Sequence, residues 1–119
     1  MQDLIKAMKA LSDETRLRIL NVLLERECCV CEVMQALDIS QSRASRNLGI
    51  LQYAGFSKAR RDGAWMLYSM DWETANRYAI SLARLLKDSL VSNEILAQDK
   101  ERLKHAKRIG PGCRQASSL

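Results

Sequence analysis

Hydrophobic residues recur every three to four positions through the first half of the chain, which is the pattern of amphipathic helices. A short helix is predicted near the N-terminus. A second follows in SDETRLRILNVLLE, where Ser12 or Asp13 is a suitable N-cap. Two more helices are predicted over residues 29–37 and 40–54. Because these last two are short and separated by a tight turn, they predict a helix-turn-helix.

The pattern changes around residue 55. Ser40 is a good N-cap for the helix over 40–54, and Gly55 is expected to end it, because glycine readily adopts the left-handed backbone conformation that follows a helix. The next stretch, FSKARRDGAWMLYSM, has aromatic and apolar residues in a short-strand pattern that Asp62-Gly63 interrupts. An Asp-Gly pair between two such runs predicts a β-hairpin, which would form a wing behind the helix-turn-helix.

Helical spacing returns from Trp72 to about Arg108, which predicts a long final helix with Ser92-Asn93 as a candidate break. The expected fold class is therefore mainly α with a small β-hairpin, in a winged helix-turn-helix arrangement. We expect one DNA-binding and dimerisation domain over residues 1–108 and a flexible C-terminal tail over residues 109–119.

The chain has a net charge of +5, and basic residues are in local excess in two segments. Residues 1–99 hold 13 basic and 13 acidic side chains, so the last twenty residues carry the whole surplus. Within the neutral part, the segment 40–68 has five basic side chains against Asp62 alone, a local charge of +4. A basic segment on a predicted helix-turn-helix indicates a nucleic acid partner. The candidate DNA-binding residues lie at the start of the second helix of that unit and in the hairpin: Gln41, Ser42, Arg43, Ser45, Arg46, Arg60 and Arg61.

Three of the four cysteines, Cys28, Cys29 and Cys31, fall within four residues. No apolar run approaches the roughly 20 residues of a membrane span, and the N-terminal stretch is amphipathic, unlike a signal peptide. We therefore expect a cytoplasmic protein with no membrane partner, where thiols stay reduced. In that compartment a cysteine cluster indicates metal or redox chemistry rather than structural disulfides.

Four stretches together resemble the ArsR/SmtB family of winged-helix repressors that sense metals and metalloids: LSDETRLRIL, ECCVCEV, SQSRASRNLGILQYAG and RRDGAWMLYSM. The resemblance extends from about Met8 to Leu90. It implies a homodimer joined through its first and last helices, which binds a palindromic double-stranded DNA operator and releases it when an inducer binds. Asn47 stands where relatives commonly have histidine, and Arg43 where they have a small residue. Both changes are expected to alter which bases are read.

The arsenic-responsive branch of the family has a motif of the form E-L-C-V-C-D-L-C, and its glutamate and its C-V-C are matched in ECCVCEVM. Cys28 replaces the leucine of the motif, and Met34 replaces its third cysteine. The resemblance therefore implies Cys29 and Cys31 as ligands, with Cys28 or Cys113 as the third thiolate.

Trivalent arsenic and antimony are soft and take three sulfurs in a pyramid, and soft thiolate ligands select such ions over hard cations. Zinc prefers four Cys or His ligands. The chain has a single histidine, His105, and the zinc-ligand cluster that some relatives place on the final helix has no counterpart. The expected inducer is As(III) or Sb(III), and an organic arsenical becomes a natural ligand if only two thiolates engage. No catalytic cofactor is expected.

The spacing of the cysteines suggests a mechanism. On a regular helix Cys29 and Cys31 differ by about 200° and point to opposite sides, so one ion can bridge them only if the start of the helix is irregular. We hypothesise that binding fixes a distorted turn and shifts the helix over 40–54.

The alternative function is a winged-helix repressor that senses oxidation through the same thiols, with Cys31 or Cys113 resolving an oxidised Cys28 or Cys29. Since no phosphate loop, nucleophile elbow or pair of catalytic carboxylates is found, the chain is not expected to be an enzyme.

Overall fold

The computed structural model describes residues 1–89 and 93–109 of the chain. Its strands form a three-stranded antiparallel sheet in the order β1-β3-β2. The fold is a winged helix-turn-helix, as the sequence predicts. The elements within the described ranges are α1 (Gln2–Leu11), α2 (Glu14–Glu25), β1 (Cys28–Cys29), α3 (Val30–Leu37), α4 (Gln41–Tyr53), β2 (Ser57–Asp62), β3 (Trp65–Met70), α5 (Arg77–Ser89) and α6 (Glu94–His105).

The predicted helix caps are found at the ends of α2 and α4. The Asp13 side chain accepts a hydrogen bond from the Arg16 N–H at 3.1 Å, which settles the choice between Ser12 and Asp13. Ser40 Oγ accepts from the backbone N–H of Arg43 at 3.2 Å. Gly55 follows α4 with a φ of 95°, which confirms its predicted role as the residue that ends the helix.

The helix-turn-helix is formed by α3 and α4, whose connecting turn begins at Asp38. This residue has a φ of 57°, in the left-handed region that short polar side chains tolerate. The N–H of Ile39 then donates to the carbonyl of Met34 at 3.2 Å and closes the end of α3. A turn this tight holds α3 and α4 in a fixed relation.

The prediction of one long final helix is wrong. The described residues show two helices, α5 and α6, with α5 beginning five residues later than expected, at Arg77. The candidate break is confirmed, because Asn93 caps α6 by accepting hydrogen bonds from the N–H groups of Ile95 at 2.9 Å and Leu96 at 3.2 Å. Asparagine side chains compete with helical hydrogen bonds in this way. Residues 90–92 and the predicted tail from residue 110 onward lie outside the described residues.

Because α6 is a separate helix that begins after Asn93, it can fold back onto α2 and α3. A buried ion pair holds it there. Asp99 is fully buried and accepts from Nε and Nη2 of Arg18 at 2.8 Å each, and from Nη2 of Arg102 at 2.8 Å. Arg18 also donates to the Leu37 carbonyl at 3.0 Å, and Arg102 to the Ala36 carbonyl at 2.7 Å. The same network therefore binds α6 to the C-terminal end of α3.

The main core lies between α2, α3, α4 and one face of the sheet, and its largest fully buried side chains include Ile19, Leu48 and Phe56. A second, smaller cluster lies on the other face of the sheet. It consists of Cys29, Cys31 and Leu67, with Trp65 packed against it. None of the described helices is long and apolar enough to cross a membrane.

Candidate thiol site and DNA-binding surface

The sulfur atoms of Cys29 and Cys31 form a close pair at the N-terminus of α3. Their sulfur atoms are 2.8 Å apart, and both residues are fully buried. The helix was expected to begin at residue 29, but it begins at Val30, and Cys29 is an N-cap with extended backbone angles, φ −82° and ψ 169°. Because Cys29 has a non-helical backbone conformation, the direction of its side chain does not follow the roughly 100° per residue of a helix. The irregular start that a shared site requires is present.

Glu32 stabilises this irregular turn through hydrogen bonds. Its Oε1 accepts from the Cys29 N–H at 2.9 Å, while the Cys29 sulfur faces the backbone N–H of Glu32 in return. This is a capping box in which a thiol takes the place of the usual hydroxyl. Arg26 Nη1 donates to Oε2 of Glu32 at 2.8 Å. Burial acts to raise the pKa of Glu32, but these hydrogen bonds hold that pKa below its usual value.

Burial makes both vicinal thiols weak acids. It raises the pKa of Cys28 to about 12 and that of Cys29 to about 11. At neutral pH these two side chains are therefore protonated thiols, which react slowly with oxidants and alkylating agents.

The structure does not bring Cys28 to the thiol pair. Consecutive residues of a strand point to opposite faces, so Cys28 faces the main core while Cys29 faces the smaller cluster. The Cys28 sulfur lies 3.3 Å from the Arg26 carbonyl, to which it donates. Met34 is also in the main core. The other candidate for third ligand, Cys113, lies outside the described residues, and among those residues no group of three or more Cys, His, Asp or Glu is arranged to hold a metal.

The chain that leaves α6 runs over Cys31, a contact that the sequence did not reveal. The N–H of Ile109 donates to the Cys31 sulfur at 3.4 Å, and the Lys107 carbonyl lies 3.8 Å from the same sulfur. Gln35 holds the segment in place by donating to the Lys107 carbonyl at 2.6 Å and accepting from the Lys107 N–H at 3.0 Å. Cys31 also takes part in a disulfide bond in this structure.

The predicted DNA-binding residues divide into two groups. Ser42 and Arg46 on α4 and Arg61 on β2 are exposed, and Gln41 and Ser45 are half-buried at the start of α4. The other two basic residues are engaged within the chain.

Arg43 Nη2 donates to the hydroxyl of Thr15 at 2.7 Å. Arg60 donates through Nε and Nη2 to the two carboxylate oxygens of Glu27, at 2.9 and 2.7 Å. The DNA-contacting role of all seven residues stays a prediction.

Asn47 is buried between α4 and α2. It is 3% exposed, accepts from Arg16 Nη1 at 3.0 Å and donates to the Arg43 carbonyl at 2.9 Å. Its amide oxygen joins α4 to α2, so any influence of Asn47 on the bases read would be indirect, and that expectation stays a prediction.

Residues 13–56, from the start of α2 to the residue before β2, match the family described as "Bacterial regulatory protein, arsR family". Over 93 residues the chain is 32% identical to the transcriptional repressor SmtB homolog of Synechocystis, a match that covers 78% of this chain and 67% of the relative. The chain belongs to the arsR family. The expectation that it is not an enzyme agrees with this family of regulatory proteins.

Other arsR-family relatives carry names that refer to different metals. The chain is 44% identical over 72 residues to the cadmium resistance transcriptional regulatory protein CadC homolog of Staphylococcus aureus, covering 60% of each protein. It is 43% identical over 67 residues to the arsenical resistance operon repressor of Escherichia coli, covering 56% of this chain and 57% of that protein. The chain thus spans about three fifths of the length of these two relatives.

Solved structures of arsR-type regulators share the fold. The transcriptional repressor BigR from Xylella fastidiosa superposes with a TM-score of 0.65 at 28% identity, covering 78% of this chain and 88% of that one. A homodimeric winged helix-turn-helix domain from Mycobacterium bovis, a possible ArsR-family regulator, gives a TM-score of 0.63 at 26% identity, covering 92% and 89%.

Proposed function

We propose that the chain is a transcriptional repressor that binds an operator in double-stranded DNA and releases it when As(III) or Sb(III) binds to its thiols. The observation that carries this proposal is the pair of sulfurs of Cys29 and Cys31, 2.8 Å apart at the N-terminus of the first helix of the helix-turn-helix. Once Cys31 is reduced, two thiols so close together can bind one soft ion. The DNA partner would place the protein in the cytoplasm.

Cys31 is disulfide-bonded in this structure, so the ligand-binding form is the one in which that bond has been reduced by a cellular thiol. From the reduced form, the chemistry of this binding needs no further redox step. Arsenous acid reacts with three thiols to form three As–S bonds, and each thiol proton leaves with a hydroxide as water. This route suits Cys29, because burial raises its pKa to about 11 and keeps it protonated at neutral pH. No free thiolate has to exist before the metalloid arrives.

For the third sulfur we favour Cys113 over Cys28. Cys28 lies on the opposite face of the sheet, in the main core. Ile109 contacts the Cys31 sulfur at 3.4 Å, and Cys113 follows four residues later in the chain. Four residues reach at most about 14 Å when extended, so this short length of chain is sufficient to bring a thiol to the site. If the third position is left open, an organic arsenical with one carbon substituent becomes the natural ligand.

We place the DNA contacts on α4 and the wing, and we expect a homodimer on a palindromic operator. The exposed side chains Ser42 and Arg46, the half-buried Gln41 and Ser45, and Arg61 on β2 supply hydrogen-bond donors for base edges and phosphates. Two copies of α4 related by a two-fold axis would then enter successive major grooves.

A thiol redox sensor is the second candidate, and the disulfide bond at Cys31 favours it. The burial of Cys28 and Cys29 argues against it, because a protonated thiol is a poor nucleophile toward peroxide. Both candidates use the same DNA-binding surface, so they differ only in the chemical signal that releases DNA.

The deciding experiment follows fluorescence anisotropy of a labelled promoter fragment with fully reduced protein, titrated separately with As(III), Sb(III), Cd(II) and peroxide. We expect As(III) or Sb(III) to weaken DNA binding by roughly 5- to 150-fold, the usual range for such coupling. Cys29→Ser and Cys31→Ser should abolish the release, and Cys113→Ser should reduce it strongly.

Cys28→Ala is the matched control, since it removes a neighbouring thiol that faces the core, and it should keep the metalloid response. Release by peroxide but not by metalloid would establish the redox reading. Release by Cd(II) alone would show that the inducer is a metal ion of different geometry. A response that survives both Cys29→Ser and Cys31→Ser would contradict the proposed site.

A further inference from the structure

The thiol site and the wing share one face of the sheet. Cys29 of β1 lies opposite Leu67 of β3, and Leu67 lies opposite Arg60 of β2. Residues directly opposite one another in antiparallel strands project to the same face, so these three side chains form a row across the whole sheet. Arg60 is thus on the side of the thiols. Arg61, the next residue along, projects from the other face.

A bidentate ion pair connects Arg60, at one end of this row, to Glu27, the residue before β1. Glu27 immediately precedes β1, and its two carboxylate oxygens accept from Nε and Nη2 of Arg60 at 2.9 and 2.7 Å. Paired donors and acceptors of this kind fix orientation as well as distance. The pair joins β2, which the short strand β1 does not contact directly, to the residue just before the cysteines.

The pair is too exposed to matter for stability. The Arg60 side chain is 60% exposed and that of Glu27 is 29% exposed, and exposed ion pairs add little to folding free energy. The Arg60 charge is also compensated by Glu27, so it is a poor candidate for neutralising a DNA phosphate. Its geometry, by contrast, links the thiol turn to the strand that carries Arg61.

We propose that Glu27 and Arg60 are positioning residues that transmit ligand binding at Cys29 and Cys31 to the wing. In this scheme a metalloid at the two sulfurs moves β1, the ion pair carries β2 with it, and Arg61 leaves its position on the DNA. The output of the site is the wing, in addition to any shift of α4. This inference rests on the proposed function, and it assigns to Arg60 a role other than direct DNA contact.

Two quantities separate this role from DNA contact: the salt dependence of DNA binding, and the release ratio, defined as the Kd for DNA with As(III) divided by that without it. Arg61→Gln should reduce the slope of log K against log salt by about 1, the value for one lost phosphate contact, and should also lower the release ratio, because the contact that the ligand disrupts is already gone. Arg60→Gln should keep the slope and lower the release ratio at least fivefold. Glu27→Gln should lower the release ratio to the same extent.

Three controls keep the test sharp. Glu25→Gln removes an exposed carboxylate on α2 and corrects for the change in net charge. The charge-swapped variant Glu27→Arg/Arg60→Glu restores an ion pair and should recover most of the release ratio, which a merely damaged fold would not do. Metalloid affinity, followed by the fluorescence of Trp65 in a Trp72→Phe background, should stay within twofold in every variant, because Trp65 packs against the thiol pair.

A slope reduced by about 1 in Arg60→Gln, with the release ratio intact, would show that Arg60 is a phosphate contact and would overturn the inference. A charge swap that fails to recover release would also overturn it. If As(III) does not release DNA from the wild-type protein, both this inference and the proposed function are overturned. If As(III) releases DNA from Glu27→Gln and Arg60→Gln as it does from the wild type, this inference alone is overturned.

Discussion

Gly55, just after α4, and Gly49, within it, differ in whether the structure requires a glycine there. Gly55 has a φ of 95°, and a Cβ built there would lie 2.6 Å from Thr74 Oγ1. Gly49 lies within α4, where a Cβ would meet nothing within 4 Å. Only the first position therefore requires glycine for the backbone and for space.

We expect Gly49→Ala to stabilise the protein by about 0.5–1 kcal/mol, because alanine restricts the unfolded chain and suits a helix. Gly55→Ala should destabilise it by at least about 1 kcal/mol, since a left-handed conformation and a close contact oppose the methyl group. Urea unfolding followed by circular dichroism measures both. Equal effects of the two substitutions would show that the end of α4 tolerates a side chain.

At the scale of elements, the local signals in the sequence were sufficient for the helix-turn-helix and the wing. Ser40 as a cap, Gly55 as the end of α4 and a hairpin at Asp62-Gly63 are read from a few neighbouring residues, and the structure has the cap, the helix end and the hairpin. The turn itself lies one residue later than predicted, at Gly63-Ala64, because Asp62 still pairs with Trp65. Gly63 has the positive φ, 62°, that such a two-residue turn requires.

The elements that the sequence did not reveal depend on distant contacts. Strand β1 has only two residues, too few for any periodicity, and it exists because Cys28 and Cys29 pair with β3. The contact of Ile109 with Cys31 joins residues 78 positions apart. Glu32, by contrast, was within reach of prediction, because its spacing from Cys29 is that of a capping box.

The docking of α6 depends on the buried carboxylate of Asp99. Asp99→Asn should destabilise the protein by about 3 kcal/mol, because Arg18 would keep a charge that no longer has a counter-ion in a partly buried position. It should also weaken As(III) binding, since the docking of α6 positions the segment after it, in which Lys107 and Ile109 contact the Cys31 sulfur. Urea unfolding and Trp65 fluorescence measure the two effects. Glu101→Gln, an exposed position on the same helix, is the control and should leave the free energy of unfolding almost unchanged.

At the scale of the whole molecule, exposed apolar residues identify the surface that a second copy would cover. Helices α1 and α5 pack against each other. Ile5 and Met8 on α1 are 45% and 53% exposed, and Tyr78 and Leu85 on α5 are 45% and 60% exposed. The last helix, α6, has instead folded back, with its own Leu96 and Leu103 buried in the chain. We therefore expect the dimer to form through α1 and α5.

Leu85→Glu should convert the dimer to a monomer, because the new charge would have to be buried without a partner. Operator affinity should then fall by at least about 100-fold, since the two half-sites would no longer be bound by linked modules. Sedimentation equilibrium and DNA anisotropy measure these effects. Ile95→Glu is the matched control, because Ile95 is 43% exposed on α6, and it should leave the dimer intact. If Ile95→Glu dissociates the dimer and Leu85→Glu does not, the interface lies on α6, and the folded-back position of that helix belongs to the monomer alone.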